Sequence, residues 1–112
     1  LATTLNEIAI QSELTIDLQE TALPVKRQLH AACEMLGFDP LYVANEGKLV
    51  AFVKPEDADR ILSVMHQTRY GEEAVIIGKV IRTNHPHVRL RTAIGGTRLI
   101  DMLPGEMLPR IC

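Results

Sequence analysis

The chain has no tryptophan, only two tyrosines and two phenylalanines, and only two cysteines in 112 residues. It also lacks an apolar run near the roughly 20 residues that a bilayer-spanning helix requires, so we expect no membrane segment. Neither charge sign dominates, because twelve basic and fourteen acidic residues give a net charge of -2. This balance argues against a nucleic-acid partner, since phosphate backbones are bound by basic surfaces. Two cysteines do not make a disulfide framework, and a reducing, cytoplasmic compartment is therefore expected.

The length permits one domain with one core. The chain opens with Leu1 instead of methionine, and its first twelve residues lack the basic start and the cleavage site of a signal peptide. We therefore expect it to be part of a longer protein. Proline and glycine at positions 104, 105 and 109 disfavour regular structure near the end. The predicted organisation is a domain over residues 1–102 followed by a flexible tail over residues 103–112.

Hydrophobic periodicity predicts the elements of the first half of the chain. Apolar residues at helical spacing open it, and residues 14–19 then alternate apolar and polar side chains as a strand does. Pro24 begins the clearest amphipathic pattern, which predicts a helix up to a stop at Gly37. Asn45–Gly47 predicts a tight turn that leads into a strand at residues 49–53, buried on both faces.

The second half of the chain continues the alternation of helix and strand. Pro55 begins a helix with an apolar stripe, which residues 70–71 close. Residues 74–81 and 87–94 read as two strands antiparallel to each other, joined by a turn, and a short apolar piece follows at residues 97–103. Together these elements predict an α+β domain with an antiparallel or mixed sheet, helices on one face and a flexible C-terminal tail.

Three groups of polar residues are candidates for a binding site. His85 and His87 could share a face, but a zinc site needs three or four ligands, and we predict no metal site. The stretch from Gly95 to Arg98 could bring backbone amides to a phosphate, although a plain turn explains it as well. Arg89 and Arg91 are read as the solvated face of a strand, with the docking of a partner domain as the alternative.

The two cysteines differ in their expected surroundings. Cys33 lies on the apolar face of a predicted helix and is expected to be an inert core residue. Cys112 ends a tail rich in proline and glycine and is expected to be exposed. The eight residues after Pro104 can extend at most about 26–29 Å, so the thiol could visit more than one site. Glu46 lies in a turn that could present its carboxylate at the rim of a cleft, although an exposed turn residue is the simpler interpretation.

Several stretches of the sequence together resemble a known family. They are NEIA, ACEMLGFDPLYVANEGKLVAFV, AVIIGKV, RTAIGGTRLIDML and the terminal LPGEMLPRIC. They closely resemble the carboxyl-terminal domain of the HypE family of hydrogenase maturation proteins, which are carbamoyl dehydratases similar to the aminoimidazole ribonucleotide synthetase superfamily. The most specific part is the terminal motif of Pro109, Arg110, Ile111 and Cys112, combined with Asn45, Glu46 and Gly47.

The resemblance implies an ATP-dependent reaction on the terminal thiol. By position, Cys112 is the cysteine that the carbamoyltransferase HypF loads with a carbamoyl group, which the enzyme dehydrates to a thiocyanate. The resulting cyanide then passes to iron on the HypC–HypD complex, for the cyanide ligand of [NiFe]-hydrogenase. Glu46 falls on the position of the active-site base. The residues expected to line the cleft between two domains or to lie near the nucleotide are Asn45, Gly47, Gly95, Gly96 and Arg98.

The resemblance also implies what this chain lacks. ATP and magnesium are expected to bind mainly to an amino-terminal domain, and the family forms a homodimer largely through that domain. We therefore expect this chain to be inactive on its own. The alternatives are a non-catalytic docking domain with an incidental terminal thiol, and a purine-biosynthesis relative that shares the fold but has no reason to carry the terminal cysteine.

Overall fold

The computed structural model describes residues 1–102. It contains three α-helices, α1 (Ala2–Ser12), α2 (Arg27–Leu36) and α3 (Ala58–His66), and four strands, β1 (Thr15–Gln19), β2 (Gly78–Ile81), β3 (Val88–Arg91) and β4 (Thr97–Ile100). Short 3-10 turns at Glu20–Ala22 and Pro55–Asp57 precede α2 and α3. The α+β prediction is confirmed, and the predicted tail lies outside the described residues.

The four strands form one mixed sheet in the order β2-β1-β3-β4. The central strand β1 is antiparallel to β2 and parallel to β3, and β3 and β4 form an antiparallel hairpin. The prediction that the strands of residues 74–81 and 87–94 are neighbours is wrong, because β1 lies between them and pairs with both. The apolar pattern could not show this order, since it reports the faces of a strand and not its neighbours.

The core lies between α1 and one face of the sheet. Ala2, Leu5 and Ala9 are spaced to lie on one side of α1, where they are buried. They pack against the sheet side chains of the same cluster, which are Ile16, Leu18, Val88, Leu90 and Ile100. Alternation along each strand therefore places one apolar set towards α1, as the sequence predicts for β1 and β3.

The middle of the chain is packed less tightly than the prediction implied. The α-helical part of α2 begins at Arg27, three residues after Pro24, and ends at Gly37 as predicted. In α2 only Cys33 is buried, and α3 has no buried residue. Cys33 is thus a buried residue as expected, but it lies outside the main cluster of apolar residues.

The strand predicted at residues 49–53 is absent from the described structure. These residues have no regular secondary structure, and four of them are exposed, whereas burial on both faces was expected. The composition favours a strand, but a strand also needs a neighbour to pair with its backbone. Within residues 1–102 no other strand lies beside this segment.

Candidate functional site

The Asn45–Gly47 turn predicted from the sequence is in the structure a bend at Gly47 without a hydrogen-bonded turn, and it presents the carboxylate of Glu46 to solvent. All three residues are exposed, and Gly47 has a φ of 69°, a left-handed conformation that favours glycine. No hydrogen bond or ion pair joins Glu46 to another residue in the described part of the chain. Its carboxylate is therefore available to a substrate or to another part of the protein.

A hydrogen bond joins the start of this turn region to the end of the sheet. The Tyr42 hydroxyl donates to the carbonyl of Asp101 at 2.7 Å. Burial, and then the negative charge of Asp39, raises the pKa of Tyr42, so the hydroxyl stays protonated and can donate. Tyr42 lies three residues before Asn45, and Asp101 lies two residues before the predicted tail. The structure therefore places the segment that leads to Glu46 next to the residues that precede the predicted tail.

The buried Asn6 amide strengthens this junction. Its Nδ2 donates to the carbonyl of Ile100 at 2.8 Å and to that of Ala2 at 3.0 Å. The backbone amide of Ala2 in turn donates to the carbonyl of Leu41 at 2.9 Å. The start of α1 thus holds both the residue before Tyr42 and the residue before Asp101, which limits their relative movement.

The predicted tail motif lies outside the described residues. It comprises Pro109, Arg110, Ile111 and Cys112. Covalent geometry alone gives the eight residues after Pro104 a reach of at most about 26–29 Å. Glu46 lies four residues after Tyr42, which corresponds to at most about 13–14 Å of chain. The tail is therefore long enough for Cys112 to meet Glu46 near the junction.

Gly95 and Gly96 end the turn of residues 92–96 that connects β3 and β4. The Gly95 amide donates to the Thr92 carbonyl at 3.0 Å, and the Gly96 amide donates to the Thr92 hydroxyl at 2.9 Å. Gly95 has a φ of 87°, so the turn requires the left-handed backbone that glycine adopts without strain. Both amides are engaged within the turn, and a position near a nucleotide remains a prediction for these two residues.

Arg98 lies at a cleft between the sheet and α2. Its Nη1 donates to Asp39 Oδ2 at 2.5 Å, an ion pair between partly exposed side chains. The cleft has a volume of about 620 Å³ and also includes Glu20, His30, Phe38 and Leu90 in its lining. The structure thus joins Arg98 to Asp39, in the segment that leads to Asn45–Gly47, and a role of Arg98 near a nucleotide remains a prediction.

The structure shows a charged network that the sequence interpretation missed. Asp17 is fully buried on the sheet face opposite α1, where it accepts hydrogen bonds from Arg89 at 3.0 Å and from Arg91 at 3.2 Å. The hydrogen bond from Arg89, followed by that from Arg91, holds the pKa of Asp17 at about 2, although burial alone would raise it. Arg89 and Arg91 are therefore both partners of Asp17, which the interpretation of a solvated strand face did not include, although Arg91 is exposed and Arg89 is only partly buried. The alternation of apolar and polar residues in β1 shows that Asp17 is polar, but it does not show its partners. Only the parallel pairing of β1 with β3 brings Asp17, Arg89 and Arg91 together.

The histidines do not gather into a metal-binding group among residues 1–102, where no set of three potential ligands occurs. His87 Nδ1 donates to the carbonyl of His85 at 2.6 Å and lies 3.3 Å from the Thr15 hydroxyl. These contacts stabilise the turn before β3. No described helix has the length and apolar content needed to cross a bilayer.

The chain is an α+β domain with a mixed sheet and one core covered by α1. A comparison with known families identifies the class of this domain. Residues 1–91 match the family described as AIR synthase related protein, C-terminal domain. The chain therefore belongs to this family. The match covers α1 through β3 and includes the Asn45–Gly47 turn.

The most similar curated relatives include two bacterial proteins named carbamoyl dehydratase HypE. The protein of Cupriavidus necator is 55% identical over all 112 residues, which make up 32% of its length. The protein of Bradyrhizobium diazoefficiens is 54% identical, again over 100% of this chain and 32% of the relative. This chain thus spans about a third of the length of these relatives. The resemblance predicted from the sequence is confirmed.

Solved structures support the same relationship. A crystal structure of hydrogenase maturation protein HypE has a TM-score of 0.90 and 47% identity, covering 100% of this chain and 37% of that one. A HypE structure in complex with ATP has a TM-score of 0.89 and 44% identity, covering 100% and 35%. A structure of a HypE–HypF complex has a TM-score of 0.83 and 39% identity, covering 89% and 32%.

Proposed function

We propose that this chain is the cysteine-bearing C-terminal domain of an ATP-dependent carbamoyl dehydratase. The full protein converts a carbamoyl group on its own Cys112 to a thiocyanate, which supplies the cyanide ligand for [NiFe]-hydrogenase maturation. Relatives named carbamoyl dehydratase that are more than 50% identical over the whole chain support the activity. The terminal thiol and the thiocyanate step follow from the sequence resemblance.

The observation that carries this proposal is the hydrogen bond between Tyr42 and Asp101. It joins the root of the tail that bears Cys112 to the segment that bears Glu46. The tail extends at most about 26–29 Å beyond Pro104, and this length exceeds the distance of at most about 13–14 Å that the chain can span from Tyr42 to Glu46. One thiol on such an arm can therefore be loaded outside the domain and return to Glu46 for the next step.

The chemistry assigned to Glu46 is proton removal. In the S-carboxamide the carbon–oxygen bond must break while the carbon–nitrogen bond becomes triple, and both amide protons must leave. Phosphorylation of the carboxamide oxygen by ATP releases ADP and the first amide proton, which passes to solvent, and it makes that oxygen a leaving group. Glu46, as an exposed carboxylate with no partner among residues 1–102, accepts a nitrogen proton as phosphate departs.

ATP and Mg²⁺ are assigned to the remainder of the protein. No group of three potential ligands for a metal ion occurs within residues 1–102, and the Gly95 and Gly96 amides already bind Thr92. Residues 1–102 therefore offer no cluster of ligands for Mg²⁺, and nucleotide binding is assigned mainly to an amino-terminal domain. The ATP complex of a similar HypE supports nucleotide binding by the whole protein.

The proposed partners follow the same division. HypF loads Cys112 with the carbamoyl group, and the structure of a HypE–HypF complex supports this contact. The HypC–HypD complex accepts the cyanide, and an amino-terminal ATP-binding domain of the same polypeptide completes the active site and forms the homodimer. These last partners are implied by the sequence resemblance.

The first test asks whether Cys112 is the acceptor. Full-length protein is incubated with HypF, carbamoyl phosphate and ATP, and intact mass spectrometry measures the adduct. We expect Cys112→Ala to abolish the adduct and the matched control Cys33→Ala to retain it. An adduct of normal yield on Cys112→Ala would reject the proposal and favour the docking-domain alternative.

The second test separates loading from dehydration. Glu46→Gln removes the base without a change of size, so the variant should be carbamoylated normally but should accumulate S-carboxamide instead of thiocyanate. Glu72→Gln, at another exposed glutamate, should behave like the native protein. Normal dehydration by Glu46→Gln would leave Glu46 as an ordinary turn residue.

A further inference from the structure

Asp39 shapes the segment that leads to Glu46. Its Oδ1 accepts a hydrogen bond from the Leu41 amide at 2.9 Å, and its carbonyl accepts one from the Tyr42 amide at 3.0 Å. An aspartate side chain that bonds the backbone two residues ahead closes a local turn. The other carboxylate oxygen, Oδ2, accepts from Arg98 Nη1 at 2.5 Å. One side chain therefore both forms the turn of residues 39–42 and joins it to β4.

Two contacts join this turn to the end of the sheet. The ion pair links Asp39 to Arg98, and three residues further along each segment a hydrogen bond links Tyr42 to Asp101. A single contact would leave the two segments free to rotate about it, whereas two contacts fix their relative orientation. Arg98 is itself held by the pairing of β4 with β3, where it lies opposite Leu90. The ion pair therefore fixes the turn relative to the sheet.

Beyond Tyr42 the chain has fewer constraints. No backbone hydrogen bond involves residues 43–53 within the described part of the chain. In that part, the turn of residues 39–42 is the last hydrogen-bonded point before Glu46, which follows four residues after Tyr42. The orientation of the turn therefore decides the direction in which the chain approaches Glu46.

The charges around Arg98 favour a contact with protein over a contact with a phosphate. The charged side chains that line the cleft in the described structure are Glu20, His30, Asp39 and Arg98. The Glu20 carboxylate accepts from the Ala93 amide at 2.6 Å, and the Asp39 carboxylate accepts from Arg98, so both carboxylates are held in place. Two fixed carboxylates repel a phosphate group, and one of them neutralises the guanidinium that would attract it.

We propose that Arg98 is a positioning residue for the dehydration step and not a ligand of the nucleotide. Acting through Asp39, it holds the turn of residues 39–42 against β4 and so sets the direction in which Glu46 is presented to the carboxamide. The positioning of Glu46 rests on the proposed function, whereas the attachment of the turn to β4 does not. Because an ion pair between partly exposed side chains contributes little to stability, its loss should change the reaction rate more than the unfolding equilibrium.

Single-turnover kinetics of the full-length protein test this assignment. Cyanate converts the Cys112 thiol to the S-carboxamide, excess reagent is removed, and mass spectrometry of the C-terminal peptide follows thiocyanate formation after ATP is added at several concentrations. We expect Arg98→Gln and Asp39→Asn each to slow dehydration at saturating ATP at least about tenfold, with the half-saturating ATP concentration within about twofold of native. Arg98→Lys keeps a charged donor for this single contact and should lie closer to native than Arg98→Gln.

A matched ion pair provides the control. Arg60→Gln breaks the exposed pair between Asp57 and Arg60, which are 2.9 Å apart, and should dehydrate like the native protein. Loading by HypF should be normal in every variant. Loss of loading in Arg98→Gln, or a slow step in Arg60→Gln equal to that in Arg98→Gln, would overturn the proposal.

The double variant of Arg98→Gln and Asp39→Asn separates a joint role from two independent roles. If the pair acts as a unit, the double variant should be about as slow as the slower single variant. Losses that multiply would overturn the proposal, and so would a native rate in Asp39→Asn. A half-saturating ATP concentration raised at least about tenfold in Arg98→Gln would identify a nucleotide ligand and overturn it as well.

Hydrogen exchange distinguishes the failure of this inference from the failure of the proposed function. In the full-length protein, Arg98→Gln should speed exchange of the amides of residues 41–42 at least about fivefold, and Arg60→Gln should leave it unchanged. Unchanged exchange in Arg98→Gln would overturn the attachment of the turn. If Glu46→Gln dehydrates normally, the proposed function of Glu46 fails, and faster exchange in Arg98→Gln would still support the attachment.

Discussion

The sheet half of the molecule and its middle segment differ in how completely their apolar side chains are buried and their polar groups are hydrogen bonded. The sheet half, residues 1–23 and 78–102, contributes eight of the nine residues of the main apolar cluster, and the middle segment, residues 24–77, contributes only Leu41. The buried polar residues of the sheet half, Asn6, Thr15 and Asp17, are also hydrogen bonded, although Nε of Arg89 is buried without a partner in the described chain. The sheet half therefore has its own core.

The middle segment carries apolar surface that nothing in the described chain covers. The helix α3 has no buried residue, and Leu49–Val53 has no pairing strand. Glu46, the proposed base, lies in this segment. A well-packed half thus adjoins a less densely packed half that contains Glu46, and local opening is expected mainly in the second half.

The largest expected effect is the difference in stability lost when a buried leucine of the sheet half and an exposed leucine of the middle segment are each replaced by alanine. Leu18→Ala removes a fully buried side chain from the central strand and should lower the free energy of unfolding by roughly 2–5 kcal/mol. Leu36→Ala, at an exposed position of the middle segment, should cost less than about 0.5 kcal/mol. Urea denaturation of residues 1–112 measures both. Equal losses would show that the two halves share one core.

A smaller effect is expected at the charged network of the sheet half. The pKa of Asp17 is about 2 instead of 3.8, so its ionised form should stabilise the fold by about 2 kcal/mol at neutral pH, and Asp17→Asn should lose this amount. Because the folded pKa is depressed, the stabilisation is complete above pH 3.8 and is lost as the pH falls through about 2.

The pH profile provides the control for this prediction. The difference in free energy of unfolding between native protein and Asp17→Asn should shrink as the pH falls from 4 towards 2, measured by denaturation at each pH. Glu73→Gln, at an exposed position of the middle segment, should show no such change. A difference that is independent of pH would mean that Asp17 acts through packing alone.

The smallest expected effect is the difference in stability cost between alanine substitutions at two glycines with positive φ. Gly95 and Gly47 both have positive φ, and a Cβ at either would meet no atom within 4 Å. Gly95→Ala should cost about 1 kcal/mol, because the β3–β4 hairpin holds its backbone in place. Gly47→Ala should cost less, because the unpaired residues around it can relax. Thermal unfolding compares the two, and equal shifts would show that the Asn45–Gly47 turn is as constrained as the hairpin.

Local patterns predicted most of the elements. The helices, the strand β1 and the stop at Gly37 follow from spacing and from the conformational preference of glycine, which act over a few residues. The strand at residues 49–53 was wrong because strand formation depends on a partner, and none is present among residues 1–102. The pairing of Arg89 and Arg91 with Asp17 could not be predicted because Asp17 lies more than 70 positions away.

The candidate site was predicted only by resemblance to a family. Residue chemistry alone left Glu46 as a turn residue and Cys112 as an exposed thiol, and their roles remain predictions. The Tyr42–Asp101 hydrogen bond could not be predicted, because it joins residues 59 positions apart whose proximity depends on the sheet order.

By itself, the sequence determined which stretches form the helices, which of their faces are apolar, and which family the chain belongs to. These properties depend on neighbouring residues or on the identity of the side chains. The order of the strands, the burial of Asp17 between two arginines and the junction of Tyr42 with Asp101 were decided only by the tertiary structure. They depend on hydrogen bonds and contacts between distant segments, which a linear pattern does not specify until the chain has folded.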